Sequence, residues 1–149
     1  MAFRNFHDAV REHFAAAVPH ARDCGMEVTH VDAQGAEAML PFRREWLGDP
    51  ERGVIHTGIV TTLIDTVSGL ATLAAIGSFD AIATLDLRMD YLRPALAERT
   101  VYSRAEVYRL TRSIAFVRAW AWQDSREEPV AVSQSTFMRS QRPSGPVVA

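Results

Sequence analysis

The longest helical pattern in this chain is the run GIVTTLIDTVSGLATLAAI, which occupies residues 58–76. It carries a single charge, and its less apolar side consists of small residues: Thr61, Thr62, Asp65, Ser68, Gly69 and Thr72. The solvent-facing side of a helix normally carries Lys, Glu or Arg. The pattern therefore predicts a central helix that protein covers on nearly every side.

Four strand patterns follow this helix. In residues 84–91 apolar side chains alternate with polar ones, which is the period of two of a β-strand. Related alternation marks residues 100–109, 114–122 and 130–138. Because the connections between these segments are short, we expect the strands to be antiparallel neighbours in a meander.

The segments before the central helix predict a helix, two strands and a loop. Residues 3–18 show apolar side chains at helical spacing, and residues 26–42 read as two strands around a turn. Residues 43–57 are polar and rich in turn residues, which is typical of a loop. The tail from about residue 140 is expected to be loose. These elements predict one α+β domain over residues 1–149, an antiparallel sheet wrapped around the central helix.

Composition narrows the classes of function. Net charge is -2 with acidic and basic residues mixed along the chain, which argues against a nucleic-acid partner. The first residues lack the apolar core of a signal peptide, and the apolar stretch 69–76 is too short to span a bilayer. The single cysteine, Cys24, excludes an internal disulfide and fits a reducing compartment. We therefore expect a cytoplasmic protein with no membrane partner.

The basic residues restrict the chemistry further. All sixteen are arginine, and the chain has no lysine, which excludes a Schiff-base mechanism and a phosphate-loop lysine. Any phosphate on a substrate must be held by arginine, by backbone amides or by a helix N-terminus. The histidines show no metal-like spacing, so neither a metal nor another cofactor is expected.

Asp65 is the most informative residue of the helical run. Aspartate is a poor helix former, and a buried carboxylate without a cationic partner is costly unless hydrogen bonds satisfy it. Neighbouring Thr and Ser hydroxyls could supply some of those bonds. Asp65 is thus a candidate catalytic residue, or else a core or subunit-interface aspartate that hydroxyls satisfy.

His56 immediately precedes the predicted helix. The amides of Thr57 and Gly58 would be unpaired donors at the positive end of the helix dipole, a place that suits an oxyanion. The same pattern also fits an ordinary turn and helix cap. The residues alone leave both interpretations open.

Taken together, GVIHTGIVTTLIDTVSGLA and TLDLRMDYLRPA resemble the phenylacetyl-CoA-type (PaaI-like) thioesterases of the hotdog fold. The resemblance extends over about residues 20–140. It implies hydrolysis of an acyl-coenzyme A thioester, with Asp65 as general base or nucleophile and the amide of Thr57 or Gly58 polarising the thioester carbonyl. It also implies that Thr84 helps to place the water. The fold implies a homodimer, often paired further into a tetramer, with each active site built from two chains.

Two positions depart from the family pattern. Thr57 replaces the first glycine of the usual His-Gly-Gly motif, and Asp49 stands where an asparagine is common. A backbone amide survives the first change, whereas any water positioning that depends on the asparagine does not carry over. For the coenzyme A tail we expect a role of Arg93, Arg109 or Arg112, each of which also fits a solvated surface arginine.

Two other functions remain open from the sequence. One is a hotdog hydratase or dehydratase that acts on acyl-coenzyme A. The other is a dimer that binds acyl-coenzyme A without catalysis. The sequence does not identify the acyl group.

Overall fold

The chain folds into a six-stranded antiparallel sheet that curves around one long helix. The computed structural model describes residues 5–143. The helices are α1 (Phe6–Ala17), α2 (Pro19–Asp23) and α3 (Thr57–Ile76), and a 3₁₀ turn covers Arg44–Trp46. The strands are β1 (Glu27–Asp32), β2 (Gly35–Leu40), β3 (Leu47–Asp49), β4 (Val54–Ile55), β5 (Asp80–Tyr91), β6 (Val101–Leu110), β7 (Ile114–Trp122) and β8 (Ala131–Pro143).

Helix α3 confirms the predicted central helix and begins one residue earlier. Its C-cap is Gly77, whose φ of 75° is a left-handed conformation that glycine adopts without strain. Its apolar side packs on a sheet face made largely of small buried residues: Ala36, Ala38, Ser103, Ala105, Ala115, Ala119, Ala121, Ala131 and Ser133. Small side chains let the helix lie close to the sheet.

The expected cover on every side of α3 is incomplete in the single chain. Thr61, Thr62, Asp65 and Gly69 are only half-buried. A methyl group at Gly69 would lie 3.6 Å from Ile82 and 3.7 Å from Phe137, so this stripe faces β5 and β8. The small polar side of the helix therefore runs along one edge of the sheet.

The strand order is β1-β2-β6-β7-β8-β5. The predicted pairings of β6 with β7 and of β7 with β8 are confirmed, but the expectation that β5 neighbours β6 is wrong. Residues 92–100 cross the end of the sheet, where Leu96 bridges to Val54 and its amide donates to Gln123. Strand β5 consequently pairs with β8, and its other side is an edge of the sheet.

The N-terminal predictions are confirmed in outline. Strands β1 and β2 form the expected hairpin, and α1 covers most of the predicted first helix, whose residues before Asn5 lie outside the described range. The segment 43–57 is not only loop: it contains the 3₁₀ turn and the short β3–β4 ribbon. Strand β8 continues to Pro143, past the expected start of the tail, and residues 144–149 are not described.

Helix α3 is long and apolar enough to cross a bilayer by length and composition, with a mean hydropathy of 1.7. The prediction from the sequence considered only residues 69–76 and so underestimated the length of the apolar segment. Half of this apolar stretch is buried inside the protein.

Candidate functional site

Asp65 meets a hydroxyl from the neighbouring strand. The Thr84 side chain donates a hydrogen bond of 3.0 Å to one carboxylate oxygen of Asp65. The register of β5 against β8 shifts between Thr84 and Asp86, a bulge that can re-aim side chains at this position. Among the side chains that the structure describes, no cation forms an ion pair with Asp65. The second carboxylate oxygen is thus available to a water or a substrate.

The hydroxyls on α3 itself do not bind Asp65, contrary to expectation. Thr62 and Thr72 donate to the helix carbonyls four residues earlier, at 2.9 Å in both cases. The buried Ser68 hydroxyl makes no hydrogen bond within the described chain. The strand, which is distant in sequence, therefore supplies the hydroxyl that holds the carboxylate.

His56 is the N-cap of α3. Its Nδ1 accepts a 3.0 Å hydrogen bond from the Gly58 amide, and its own amide donates to the Trp46 carbonyl at 2.8 Å. Gly48 permits this arrangement, because a methyl there would lie 3.0 Å from the His56 Cα. A neutral imidazole that accepts at Nδ1 carries its proton at Nε2. The side chain therefore presents an N–H donor on its other side.

The two candidate oxyanion amides differ in this structure. The Gly58 amide is already bonded to His56. The amide of Thr57, an exposed residue in the first turn, makes no hydrogen bond to any residue in the described range. Thr57 therefore offers the open donor at the positive end of the helix.

Tyr91 also reaches this helix end, and the sequence reasoning did not single it out. Its hydroxyl contacts the Thr61 hydroxyl and lies 3.4 Å from the Thr57 carbonyl oxygen. The alternation of residues 84–91 placed Tyr91 on a strand. It gave no sign that the strand ends beside the start of α3.

The structure assembles the candidate residues in two separate groups. Asp65 and Thr84 form one, and His56, Thr57 and Tyr91 form the other. Thr57 and Asp65 are eight residues apart on one helix, which corresponds to about 12 Å of rise. One protomer therefore does not bring the open amide and the carboxylate to the same reacting atom.

The predicted tail-binding residues are dispersed. Asp49 accepts from the Arg52 amide at 3.1 Å, and Arg93 pairs with Glu128 at 3.4 Å near the Thr57 end of the site. Arg109 and Arg112 flank the β6–β7 turn, which lies at the same height along the strands as Thr84. Strand β6 is three strands away from β5 across the sheet, which corresponds to about 14 Å. In a single chain, Arg93 and the other two arginines lie towards opposite ends of the sheet.

Metal and thiol chemistry find little support around these groups. In the part of the chain that the structure describes, no three His, Cys, Asp or Glu side chains are grouped as metal ligands would be. Cys24 does have a histidine beside it, His20, which the sequence reasoning overlooked, with 3.8 Å between Sγ and Nε2. The pair lies just before β1, at the sheet edge opposite β5.

The family resemblance implies thioester hydrolysis, and we predict that Cys24→Ser retains most of that activity, because the thiol lies at the sheet edge opposite the strand that contacts Asp65. The measurement is the rate of thiol release from acyl-coenzyme A by both proteins, with circular dichroism as a check on folding. Loss of turnover in a folded Cys24→Ser protein would indicate a cysteine mechanism that uses His20.

Comparisons with known proteins identify the family of this chain. Residues 52–130 match the family model of the thioesterase superfamily. A Halobacterium salinarum protein, VNG_1336C, provisionally assigned as an esterase, is 36% identical over 120 residues, which cover 74% of this chain and 78% of that protein. The medium/long-chain acyl-CoA thioesterase YigI of Escherichia coli is 23% identical over 142 residues, covering 87% of this chain and 90% of YigI.

Solved structures share the fold of this chain. A crystal structure of a Pseudomonas aeruginosa protein superimposes with a TM-score of 0.80 at 38% identity, covering 91% of this chain and 99% of that one. The phenylacetic acid degradation protein PaaI of Thermus thermophilus gives a TM-score of 0.72 at 27% identity, covering 83% of this chain and 100% of that one.

Proposed function

This chain belongs to the thioesterase superfamily and is a thioester hydrolase of the hotdog fold, and we propose that it hydrolyses acyl-coenzyme A to a free acid and coenzyme A. The observation that carries the proposal is the half-buried Asp65 carboxylate, which accepts a hydrogen bond from Thr84 at one oxygen and has no cationic partner among the described side chains. The acyl-CoA activity of YigI supports coenzyme A as the carrier.

The proposed chemistry assigns one role to each group. Asp65 removes a proton from the attacking water, or attacks the thioester carbonyl itself. Thr84 fixes the orientation of the carboxylate. The Thr57 amide and the positive end of the α3 dipole stabilise the oxyanion, and the Nε2–H of His56 is a second donor nearby. The carbon–sulfur bond then breaks, and coenzyme A leaves as its thiolate. When Asp65 acts as base, the proton it has taken passes to the thiolate or to solvent. When Asp65 attacks directly, water hydrolyses the mixed anhydride between the acyl group and Asp65, which releases the free acid.

The proposed active site is shared between two chains. The open amide and the carboxylate are about 12 Å apart on α3. Two antiparallel copies of α3 related by a dyad would set the N-terminus of one against the middle of the other. Strand β5 is the edge through which such a pair would form, since it is 12 residues long and its neighbourhood exposes Leu85 and Leu92, each 55% accessible. The unpaired N–H and C=O groups of an edge strand of this length form a template for pairing with another strand.

The charges on β5 support pairing with its own copy. Asp86, Arg88 and Asp90 alternate along the outer face of the strand. If the antiparallel pairing is centred on Leu87 or Met89, each Arg88 lies opposite an aspartate of the partner strand. Pairing centred on Arg88 itself would oppose like charges. Opposite charges that face each other across strands stabilise a sheet by about 0.2–1 kcal/mol per pair.

We predict that a charge reversal at Arg88 weakens the dimer and that a second reversal restores it. Arg88→Asp sets like charges opposite each other in either register. Adding Asp86→Arg restores the dimer if pairing is centred on Leu87, and adding Asp90→Arg restores it if pairing is centred on Met89. Sedimentation analysis at low salt measures the dissociation constant. Equal affinity of all these proteins would exclude β5 as the interface.

Other parts of the proposal concern the coenzyme A tail and the assembly. Antiparallel pairing of β5 would bring Arg93 of one chain toward the Thr84 end of the other, which is also the level of Arg109 and Arg112. These arginines are proposed to bind the phosphates. Asp49, in the loop beside His56, is proposed to contact the substrate at another point. Further pairing of dimers into a tetramer and a cytoplasmic location remain predictions.

Release of thiol tests the proposed function. Purified protein is incubated with a panel of aliphatic and aryl acyl-coenzyme A esters, and free thiol is measured over time. Catalytic thiol release supports hydrolysis, and the panel ranks the acyl groups. Loss of enoyl absorbance without thiol would indicate a hydratase instead. Thermal stabilisation by the esters without turnover would indicate a binding protein.

A further inference from the structure

Tyr91 closes a hydrogen-bonded cluster at the start of α3. It is the last residue of β5, and its side chain is 44% exposed. Its hydroxyl contacts the Thr61 hydroxyl, and both hydroxyls approach one acceptor, the Thr57 carbonyl oxygen, at 3.4 Å from Tyr91 and 3.2 Å from Thr61. A strand and a helix turn are thereby joined at a single backbone group.

That backbone group adjoins the open oxyanion donor. The Thr57 amide and the Thr57 carbonyl belong to the two peptide planes that meet at its Cα. Because the first turn of a helix lacks the hydrogen bonds that order its interior, its amides are free to shift unless side chains hold them. Fixing the carbonyl therefore limits the directions in which the amide can point.

Tyr91 also borders a small cavity at the start of α3. Together with Ile55, Val60 and Val130 it lines a small cavity of about 30 Å³ next to Thr57. Tyr91 therefore lies beside apolar side chains at the start of the helix, although its own side chain is partly exposed.

We propose that Tyr91 is a positioning residue for catalysis: its hydroxyl holds the first turn of α3 so that the Thr57 amide points at the developing oxyanion. This inference rests on the proposed thioester hydrolysis. It assigns Tyr91 no direct contact with the reacting atoms. In the two-chain site, Tyr91 and Thr57 come from one chain and Asp65 from the other.

The test compares Tyr91→Phe with a matched control, Tyr108→Phe. Tyr108 is another exposed tyrosine, 52% accessible, which lies on β6 away from α3. A net hydrogen bond is worth about 0.5–1.5 kcal/mol, which corresponds to roughly a 2- to 12-fold change in rate. We expect Tyr91→Phe to lower kcat by about 10-fold while KM and Tm change little, and Tyr108→Phe to behave as wild type.

A double-mutant cycle with Thr61→Val separates positioning from general destabilisation. If both hydroxyls act through the Thr57 carbonyl, the loss in the double variant is smaller than the product of the two single losses. Amide hydrogen exchange gives a readout without turnover, and the amides of residues 59–61 should exchange faster in Tyr91→Phe. An unchanged kcat, a loss confined to KM, or independent losses in the cycle would overturn the proposal. Absence of thiol release by the wild-type protein would instead refute the proposed function, and the exchange data would still report on the Tyr91 contact.

Discussion

Replacing Asp65 with asparagine should lower the rate of thioester hydrolysis by about 10²–10⁴-fold, the usual contribution of a general base. Asparagine has nearly the same shape and can still accept the hydrogen bond that Thr84 donates to Asp65 at 3.0 Å. It cannot accept a proton from water, nor act as a carboxylate nucleophile. Because a half-buried charge without a cationic partner disappears, the thermal stability should hold or rise.

The matched control is Asp23→Asn, which removes an exposed carboxylate at the end of α2, beside the sheet edge opposite β5. Thiol release under saturating substrate and thermal unfolding are measured for all three proteins. Asp23→Asn should retain wild-type turnover. Near-normal hydrolysis by Asp65→Asn would remove the basis of the proposed mechanism.

Replacing Thr57 with proline should lower kcat by about 10²–10³-fold, as does the loss of one oxyanion donor in other hydrolases. Thr57 is the first residue of α3, where proline fits because its missing N–H has no intrahelical partner. His56 before it has φ -59° and ψ 131°, an extended conformation that suits a residue preceding proline. The substitution thus removes the open amide while the helix start is preserved.

Thr57→Ala is the control, because it removes the same side chain and keeps the amide. We expect Thr57→Ala to retain most of the activity that Thr57→Pro loses. Circular dichroism and Tm establish that both proteins fold. Equal activity of the proline and alanine variants would exclude the Thr57 amide as the oxyanion donor.

The same two substitutions test whether the site is shared between chains. Asp65→Asn and Thr57→Pro, mixed and refolded together, should regain activity, since a heterodimer holds one site in which both groups are wild type. Random 1:1 pairing restores at most about a quarter of the sites. If mass spectrometry confirms heterodimers and no activity returns, each chain carries its own complete site.

The sequence by itself determined the long helix, the long strands and the polar residue at the centre of the helix. A 20-residue helix with one charge, followed by strands of period two, follows from local pattern, because side-chain periodicity reports directly on helix and strand faces. The same reasoning identified Asp65, since a lone carboxylate among small residues of a core helix needs a partner or a purpose. The adjacency of His56 to the helix start also follows from position along the chain.

Only the tertiary structure decided which strand forms the edge of the sheet and which side chains contact each other. Local pattern does not specify pairing between distant segments, so the placement of β5 beside β8 rather than β6 could not be inferred from alternation. That placement brings Thr84 to Asp65, and Tyr91 to Thr57. Likewise, only the geometry showed that His56 occupies the Gly58 amide and leaves the Thr57 amide open, because hydrogen-bond partners depend on side-chain direction and not on order in the sequence.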